Sequence, residues 1–303
     1  MGQPLEKISE RNRRLPYFAS AKVATFLIPP KFFLLFFFFN PISLLVWRLF
    51  FHQKALFLQS DMQEHIRGIV LRTVKYGDTS LIIDLFTENR GRQSFITSIA
   101  RAKRTASNGS LWQPLSMVAF TADIRPNAHR LPKPVDAYPY YHYAALPFSP
   151  VKSTLALFLA EFLCAALREE KENEPLYRYL EFSFQWLDMV ENPASMANFH
   201  LAFLMHLSRF IGIYPNLDAP DRYFDLLAGC YCDRQPYHAH FLQSEEAKAL
   251  PTLFRMEYST MHLFRFSRQM RQRILHVLNE YYRLHVPNFP ELKSLEVLRE
   301  VFS

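Results

Sequence analysis

The chain has 303 residues, a formal net charge of +7 and a sequence isoelectric point of about 9.3. This length suffices for two domains with cores of their own, so size alone requires neither disulfides nor a metal. Only 7 residues are glycine, and neither G-x-x-x-x-G-K-[ST] nor G-x-G-x-x-G occurs, which excludes the commonest nucleotide-binding loops. The basic surplus favours a polyanionic partner.

Residues 1–61 differ in composition from the rest of the chain. Apolar blocks at residues 32–39 and 42–47 are interrupted by prolines and Asn40. A transmembrane helix needs about 20 consecutive apolar residues, and proline breaks helices. Three interpretations stay open: in-frame upstream sequence with translation starting at Met62, a membrane anchor, or an ordered part of the fold. We favour a start at Met62, which makes residues 1–61 a non-native or disordered extension.

The next segment has the pattern of short strands separated by turns. Alternating and β-branched residues predict strands over residues 66–74, 80–87, 93–97, 116–122 and 135–141. Five short strands in about eighty residues suit a small OB-type barrel, closed or partly closed. We therefore predict an α+β protein in which a five-stranded OB-type β-barrel (residues 62–145) precedes an all-α helical domain (residues 146–303).

One stretch of the predicted barrel has a surplus of basic residues. Residues 67–104 contain eight basic and three acidic residues, a surplus of five. OB barrels bind single strands through a cationic groove and aromatic stacking platforms. Tyr76, Phe95 and Trp112 are candidate platforms, with core packing as the alternative for each. A solvated surface is the alternative for the basic residues.

Beyond Pro147 the apolar period changes to 3.6 residues. It predicts helices over residues 154–167, 176–190, 195–211, 244–253 and 292–301, and a long helix ending near Leu284. Ser153 is placed to cap the first helix. An irregular, zinc-finger-like insertion is expected at about residues 214–242.

The long helix combines an apolar face with basic residues. At 100° per residue, Arg265 and Arg268 fall opposite the apolar face, and Arg271 lies at its margin. Such a stripe suits phosphates or an acidic peptide, and a solvated helix face is the alternative. The apolar face itself comprises Met270, Ile274, Val277, Leu278 and Tyr281.

The insertion contains two cysteines and two histidines. If residues 233–236 turn the chain as a hairpin, residues two apart share a face, and the four side chains would converge on a tetrahedral zinc. A hairpin without metal is the interpretation we favour, because the spacing is unusual for a structural site. The odd number of cysteines in the chain, three, indicates a reducing compartment. The four candidate zinc ligands are Cys230, Cys232, His238 and His240.

Several sequence pieces in register carry a family resemblance. They are Gly-Ile-Val-Leu-Arg at 68–72, Tyr-Gly-Asp-Thr-Ser at 76–80, Leu-Phe-Thr at 85–87, Gly-Arg at 91–92 and Leu-Trp-Gln-Pro-Leu at 111–115. Further pieces follow at residues 281–285, 292–295 and 297–298. Together they resemble the bacterial recombination and repair mediator family RecO, from Met62 to the end of the chain. In that family the match starts at the N-terminus, which supports Met62 as the start.

The resemblance implies a mediator of DNA repair and homologous recombination. Such a protein binds single- and double-stranded DNA, anneals complementary strands and helps to load RecA where single-strand-binding protein coats the DNA. The implied partners are RecR and the acidic C-terminal tail of single-strand-binding protein. Basic patches on both domains are implied, and the expected DNA contacts are Arg92, Arg101, Lys103, Arg104, Arg265, Arg268 and Arg271.

The remaining expectations concern cofactors and rival functions. Some family members carry a zinc finger of two Cys-x-x-Cys pairs, whereas this chain has a single Cys-x-Cys, so no cofactor is expected. The sequence contains no catalytic constellation, so we expect a protein that is not an enzyme. The resemblance implies a cytoplasmic, nucleoid-associated protein that binds DNA and does not engage a membrane. Two alternatives stay open: an RNA-binding OB-fold protein, and a membrane-tethered adaptor that uses the N-terminal apolar run.

Overall fold

The protein is described by a computed structural model that covers residues 63–99, 111–125, 130–168 and 171–301. An antiparallel sheet of five strands comes first. The strands are β1 (Gln63–Tyr76), β2 (Ser80–Thr87), β3 (Gly91–Ser98), β4 (Met117–Asp123) and β5 (Val135–Pro139). In the sheet they lie in the order β3-β2-β1-β4-β5. The five predicted strands are confirmed, and the second has the predicted bounds.

The long central strand β1 organises the barrel. Its first half pairs with β4 and its second half pairs with β2. A register shift between Val70 and Arg72 marks an irregularity that bends the strand. At the sheet edge, the backbone N–H of Ile96 on β3 donates to the carbonyl of Pro132 at 3.0 Å, just before β5 begins. The sheet therefore curls towards closure, as predicted for an OB-type barrel.

Aromatic side chains fill the barrel interior. Phe95 is completely buried, and its ring packs edge-on against Phe120 at a centroid distance of 4.9 Å. Trp112 is buried too and lies 6.1 Å from Phe120. Two of the three candidate stacking residues are thus core residues, and Tyr76, with 61% of its surface exposed, is the one that faces solvent.

Helices dominate the second part of the described chain, as predicted. None of those within the described ranges is long and apolar enough to cross a membrane. The helices are α1 (Pro150–Ala166), α2 (Glu174–Met189), α3 (Pro193–Phe210), α4 (Ser244–Leu253), α5 (Arg268–His285) and α6 (Ser294–Val301), with a 3-10 turn at Met261–Leu263 between α4 and α5.

The first helix begins earlier than its apolar pattern predicts. Ser149, not Ser153, is the N-cap, and its hydroxyl accepts the backbone N–H of Lys152. Pro150 takes the first helical position, where a missing N–H costs nothing. The hydroxyl of Ser153 instead donates to the carbonyl of Leu146 at 2.8 Å. The prediction that Ser153 caps α1 was wrong. The helix begins at Pro150, four residues before the apolar periodicity does, because proline is favourable in the first turn of a helix.

The insertion forms a small three-stranded antiparallel sheet. Its strands β6 (Tyr223–Asp225), β7 (Cys230–Cys232) and β8 (Phe241–Leu242) lie in the order β7-β6-β8. The hairpin turn joins β6 to β7, and β7 and β8 pair with β6 and not with each other, so residues 233–236 do not form the hairpin that the zinc arrangement requires. Gly229 closes the observed turn with a φ of +66°, a conformation that favours glycine.

Besides the separate cluster inside the barrel, one hydrophobic core spans the boundary between the barrel and the helices. Ile69 and Phe86 of the barrel belong to the same buried cluster as Phe158 and Phe162 of α1. Polar contacts reinforce this junction: Arg67 of β1 donates to Glu181 of α2 at 2.7 Å. Because the core is continuous across the boundary, the barrel cannot move as an independent body without exposing apolar surface.

Candidate nucleic-acid interface

Arg92, the candidate at the start of β3, is held by acceptors within the protein. Its Nη1 donates to the carbonyl of Cys164 on α1 at 2.6 Å, and Nη2 lies 3.2 Å from a carboxylate oxygen of Asp84. Only 15% of the side chain is exposed. Arg92 therefore ties the barrel to α1, and its contact with DNA stays a prediction. The other barrel candidates, Arg101, Lys103 and Arg104, lie outside the described residues.

Asp84 is the centre of this charged junction. It is buried on β2 and accepts hydrogen bonds from Ser94 Oγ at 2.6 Å and from Arg72 Nη2 at 2.7 Å. Burial by itself would raise the pKa of Asp84, but the hydrogen bonds from Ser94 and Arg72 and the charges of Arg72 and Arg92 outweigh it and hold the pKa below its usual value. Asp84 is thus ionised, and it offsets part of the charge of two arginines.

A cleft opens beside this junction, between the barrel and the helical domain. Its volume is about 880 Å³. Its lining mixes basic, acidic and apolar side chains from β1, β2, β3, α1 and the segment before α6. We call it the inter-domain cleft and define it by Arg72, Asp84, Arg92, Ser94, Leu157, Glu161, Arg168, Glu291 and Lys293.

A second cavity lies along β3, on the barrel itself. We call it the barrel groove, and its volume is about 410 Å³. Arg92, Gln93 and Ser94 form one side, and Arg125 and Arg130, which lie in the connection between β4 and β5, line it as well. Both arginines are exposed, and Arg125 pairs with Asp123 at 2.7 Å.

Arg125 and Arg130 are not among the DNA contacts predicted from the sequence. The signal was a cluster of three cations, completed by Lys133, within nine residues of one barrel connection. Strand periodicity does not report which loop lies beside which strand, so the cluster went unnoticed. A cationic groove is one of the two features by which OB barrels bind single strands.

The basic candidates of the long helix are only partly arranged as predicted. Helix α5 begins at Arg268, with Ser267 as its N-cap, so Arg265 precedes the helix and does not lie on its face. Arg265 and Arg268 are both exposed. Arg271 is half-buried, and its Nη1 donates to the carbonyl of Phe266 at 2.7 Å. Two of the three cations are therefore open to solvent.

The apolar face of α5 is incompletely covered. Ile274 and Leu278 are buried, whereas Met270 is 51% exposed. Together with α4 these residues line an apolar groove of about 190 Å³, the α4–α5 groove. The ion pair between Arg273 and Glu246, at 2.6 Å, borders it.

The four candidate zinc ligands do not fit a tetrahedral site. His238 Nδ1 accepts the backbone N–H of His240, so its Nε2 carries the proton and donates to Asp225 at 3.2 Å. His240 Nδ1 instead contacts Glu280 at 2.7 Å. Burial, followed by nearby acidic groups, raises the pKa of the Cys232 thiol. Within the described ranges, His, Cys, Asp and Glu form no group of three or more that could hold a metal.

Comparisons with known proteins agree on one family. The family model described as "Recombination protein O N terminal" matches residues 62–131, and "Recombination protein O C terminal" matches residues 147–296. A "DNA repair protein RecO" of Phocaeicola vulgatus is 50% identical over 240 residues, which cover 78% of this chain and 98% of the relative. The proteins of the same name from Bacteroides fragilis and Porphyromonas gingivalis are 49% and 34% identical over 239 and 244 residues, covering 78% of this chain and 97% and 98% of the relatives.

Proposed function

The chain belongs to the RecO family of DNA repair proteins, and we propose that it acts in recombination by binding DNA and annealing complementary strands. The observation that carries this proposal is the barrel groove, where the exposed Arg125 and Arg130 lie beside β3 of an OB-type barrel. We further propose that the protein helps to load RecA on strands coated by single-strand-binding protein.

Annealing requires little more than a suitable surface. Cations that neutralise phosphates reduce the repulsion between two strands and release condensed counterions. Contacts to phosphate carry no sequence information, so the bases stay available for pairing. The proposed activity therefore involves no bond making or breaking by the protein, which fits a role as a mediator and not as an enzyme.

The proposed partners are RecR and the acidic C-terminal tail of single-strand-binding protein. For the tail, Arg265 and Arg268 supply exposed positive charge at the start of α5. Met270 follows two residues later and opens on the α4–α5 groove, which offers an apolar contact. A cationic surface next to an apolar groove suits a peptide that is acidic and partly apolar. We propose action at the nucleoid, in the cytoplasm, without a cofactor.

Binding and annealing assays test the proposal directly. The full chain is titrated against fluorescent single-stranded DNA at several salt concentrations, and annealing of complementary strands coated with the cognate single-strand-binding protein is followed in parallel. We expect affinity to fall with salt and annealing to accelerate. Absence of binding at low salt, or binding without faster annealing, would contradict the proposal.

A matched RNA strand separates the RNA-binding alternative from the DNA proposal. A protein that recognises RNA contacts the 2′-hydroxyl, so its affinity for RNA exceeds that for DNA of the same sequence. We expect equal or weaker binding of the RNA strand. The matches to DNA repair proteins do not favour the RNA-binding or the membrane-tethered alternative.

A further inference from the structure

The barrel groove and the inter-domain cleft share part of their lining. Arg92 and Ser94 of β3 border both cavities, although one lies along the barrel and the other between the barrel and the helices. The two cavities therefore adjoin each other at β3. A flexible polymer lying in the barrel groove can continue into the cleft along the protein surface.

The acidic side chains of the cleft are mostly engaged by protein donors. Asp84 is held in its ion pairs with the two arginines. Glu161 accepts the backbone N–H groups of Lys293 at 3.1 Å and of Ser294 at 2.8 Å, at the start of α6. Carboxylates satisfied in this way repel an anionic ligand less than free ones do. Glu291 is the remaining acidic residue of the lining, and it is exposed.

Three cations of the cleft stay open to solvent. Arg72 keeps 56% of its side chain exposed despite its ion pair, and Arg168 and Lys293 are exposed as well. They come from β1, from the residues that follow α1 and from the segment before α6, so distant parts of the sequence converge here. Leu157 of α1, 52% exposed, adds apolar surface in the same cleft.

We propose that a single DNA strand runs from the barrel groove past β3 into the inter-domain cleft, where Arg72, Arg168 and Lys293 contact its phosphates. Leu157 contacts its bases. This inference rests on the proposed function and specifies the path of the DNA. The cleft volume of about 880 Å³ is that of a site for a compact ligand, so it holds a few nucleotides of a flexible strand. A DNA duplex has a persistence length of about 150 base pairs, so bending it from the groove into the cleft would cost free energy that a flexible single strand does not pay.

The test removes Arg168 and Lys293, the two exposed cations of the cleft that do not pair with Asp84. The double variant Arg168→Ala/Lys293→Ala is compared with Arg234→Ala/Lys248→Ala, which removes the same charge from exposed positions outside both cavities. Each full-length protein is titrated with single strands of about 5 nucleotides and about 20 nucleotides, since one OB fold covers roughly 4–16 nucleotides. Thermal unfolding checks that both variants remain folded.

Loss of two phosphate contacts lowers the salt slope for single strands by about 1.4, because each contributes about 0.7. If affinities converge at 1 M salt, this slope change corresponds to about 25-fold weaker binding of the long strand at 0.1 M salt. We expect that loss for the cleft variant, little change for the short strand, and affinities close to wild type for the control variant.

A second variant tests the same path by repulsion. Leu157→Glu adds a negative charge inside the cleft without removing a cation, and we expect it to weaken long-strand binding at low salt. If wild type binds single strands but both cleft variants match the control, the inferred path is wrong and the proposed function stands. If wild type does not bind at low salt, the proposed function fails and the path fails with it.

Discussion

The buried carboxylate of Asp84 offers the sharpest test of how the barrel is joined to the helices. Asp84→Ala removes the acceptor of Ser94 and the counter-charge of Arg72 and Arg92 in one step. Breaking a fully buried ion pair costs about 3–5 kcal/mol. Arg72 is more than half exposed, so water solvates its guanidinium group in the variant and offsets part of this cost. We therefore expect the free energy of unfolding to fall by about 2–3 kcal/mol, in the range of hydrogen bonds to charged groups.

Urea denaturation measures this change, and an exposed ion pair provides the control. Glu174→Ala breaks the pair between Glu174 and Arg178 on the surface of α2 and should cost about 0.3–0.5 kcal/mol. A loss for Asp84→Ala no larger than that for Glu174→Ala would refute the view that Asp84 organises the junction. An unchanged m-value for both variants would show that the change in stability does not arise from a change in the denatured state.

The pH dependence of stability checks the same contact independently. The pKa of Asp84 is lower in the folded protein than its ordinary value, so the unfolded state binds the proton more readily. The stabilisation from Asp84 is therefore complete above the unfolded pKa, about 3.9, and is lost as pH falls through the lower folded pKa. Wild type should lose more stability between pH 5 and pH 2 than Asp84→Asn. Parallel pH profiles for the two proteins would contradict this reasoning.

Three further predictions concern the hairpin, the metal and α5. Gly229→Ala should lower the free energy of unfolding by about 1–3 kcal/mol, because an added Cβ at φ +66° lies 2.9 Å from the Tyr281 hydroxyl. Gly212 has a φ of +76° but open space around it, so Gly212→Ala should lower the stability less in the same thermal unfolding assay. Elemental analysis should find far less than one zinc per chain, and one equivalent that resists dialysis would overturn our interpretation of the histidines. Arg265→Ala/Arg268→Ala should weaken salt-dependent binding of single strands and of an acidic peptide, and unchanged titrations of both would exclude a role for this surface.

Local patterns in the sequence were sufficient to predict the architecture. Strand β2 and helix α4 have the predicted bounds, Ser80–Thr87 and Ser244–Leu253, because side-chain periodicity and turn residues act between neighbours in the chain. The same patterns predicted the order of barrel and helices, and the sequence pieces in register carried the resemblance to the family that the comparisons show. They misplaced the start of α1, where Pro150 and Ser149 overrode the apolar period.

Tertiary structure alone decided what the charged residues contact. In sequence Arg92 was one basic residue among eight, and packing placed it against Asp84 and the Cys164 carbonyl, 72 residues away. Arg168 and Lys293 are unremarkable exposed cations until the fold brings them to one cleft. The physical reason is that apolar periodicity depends only on residues close together in the chain. The partner of a charged side chain depends on which residues, often distant in sequence, the packed core places next to it.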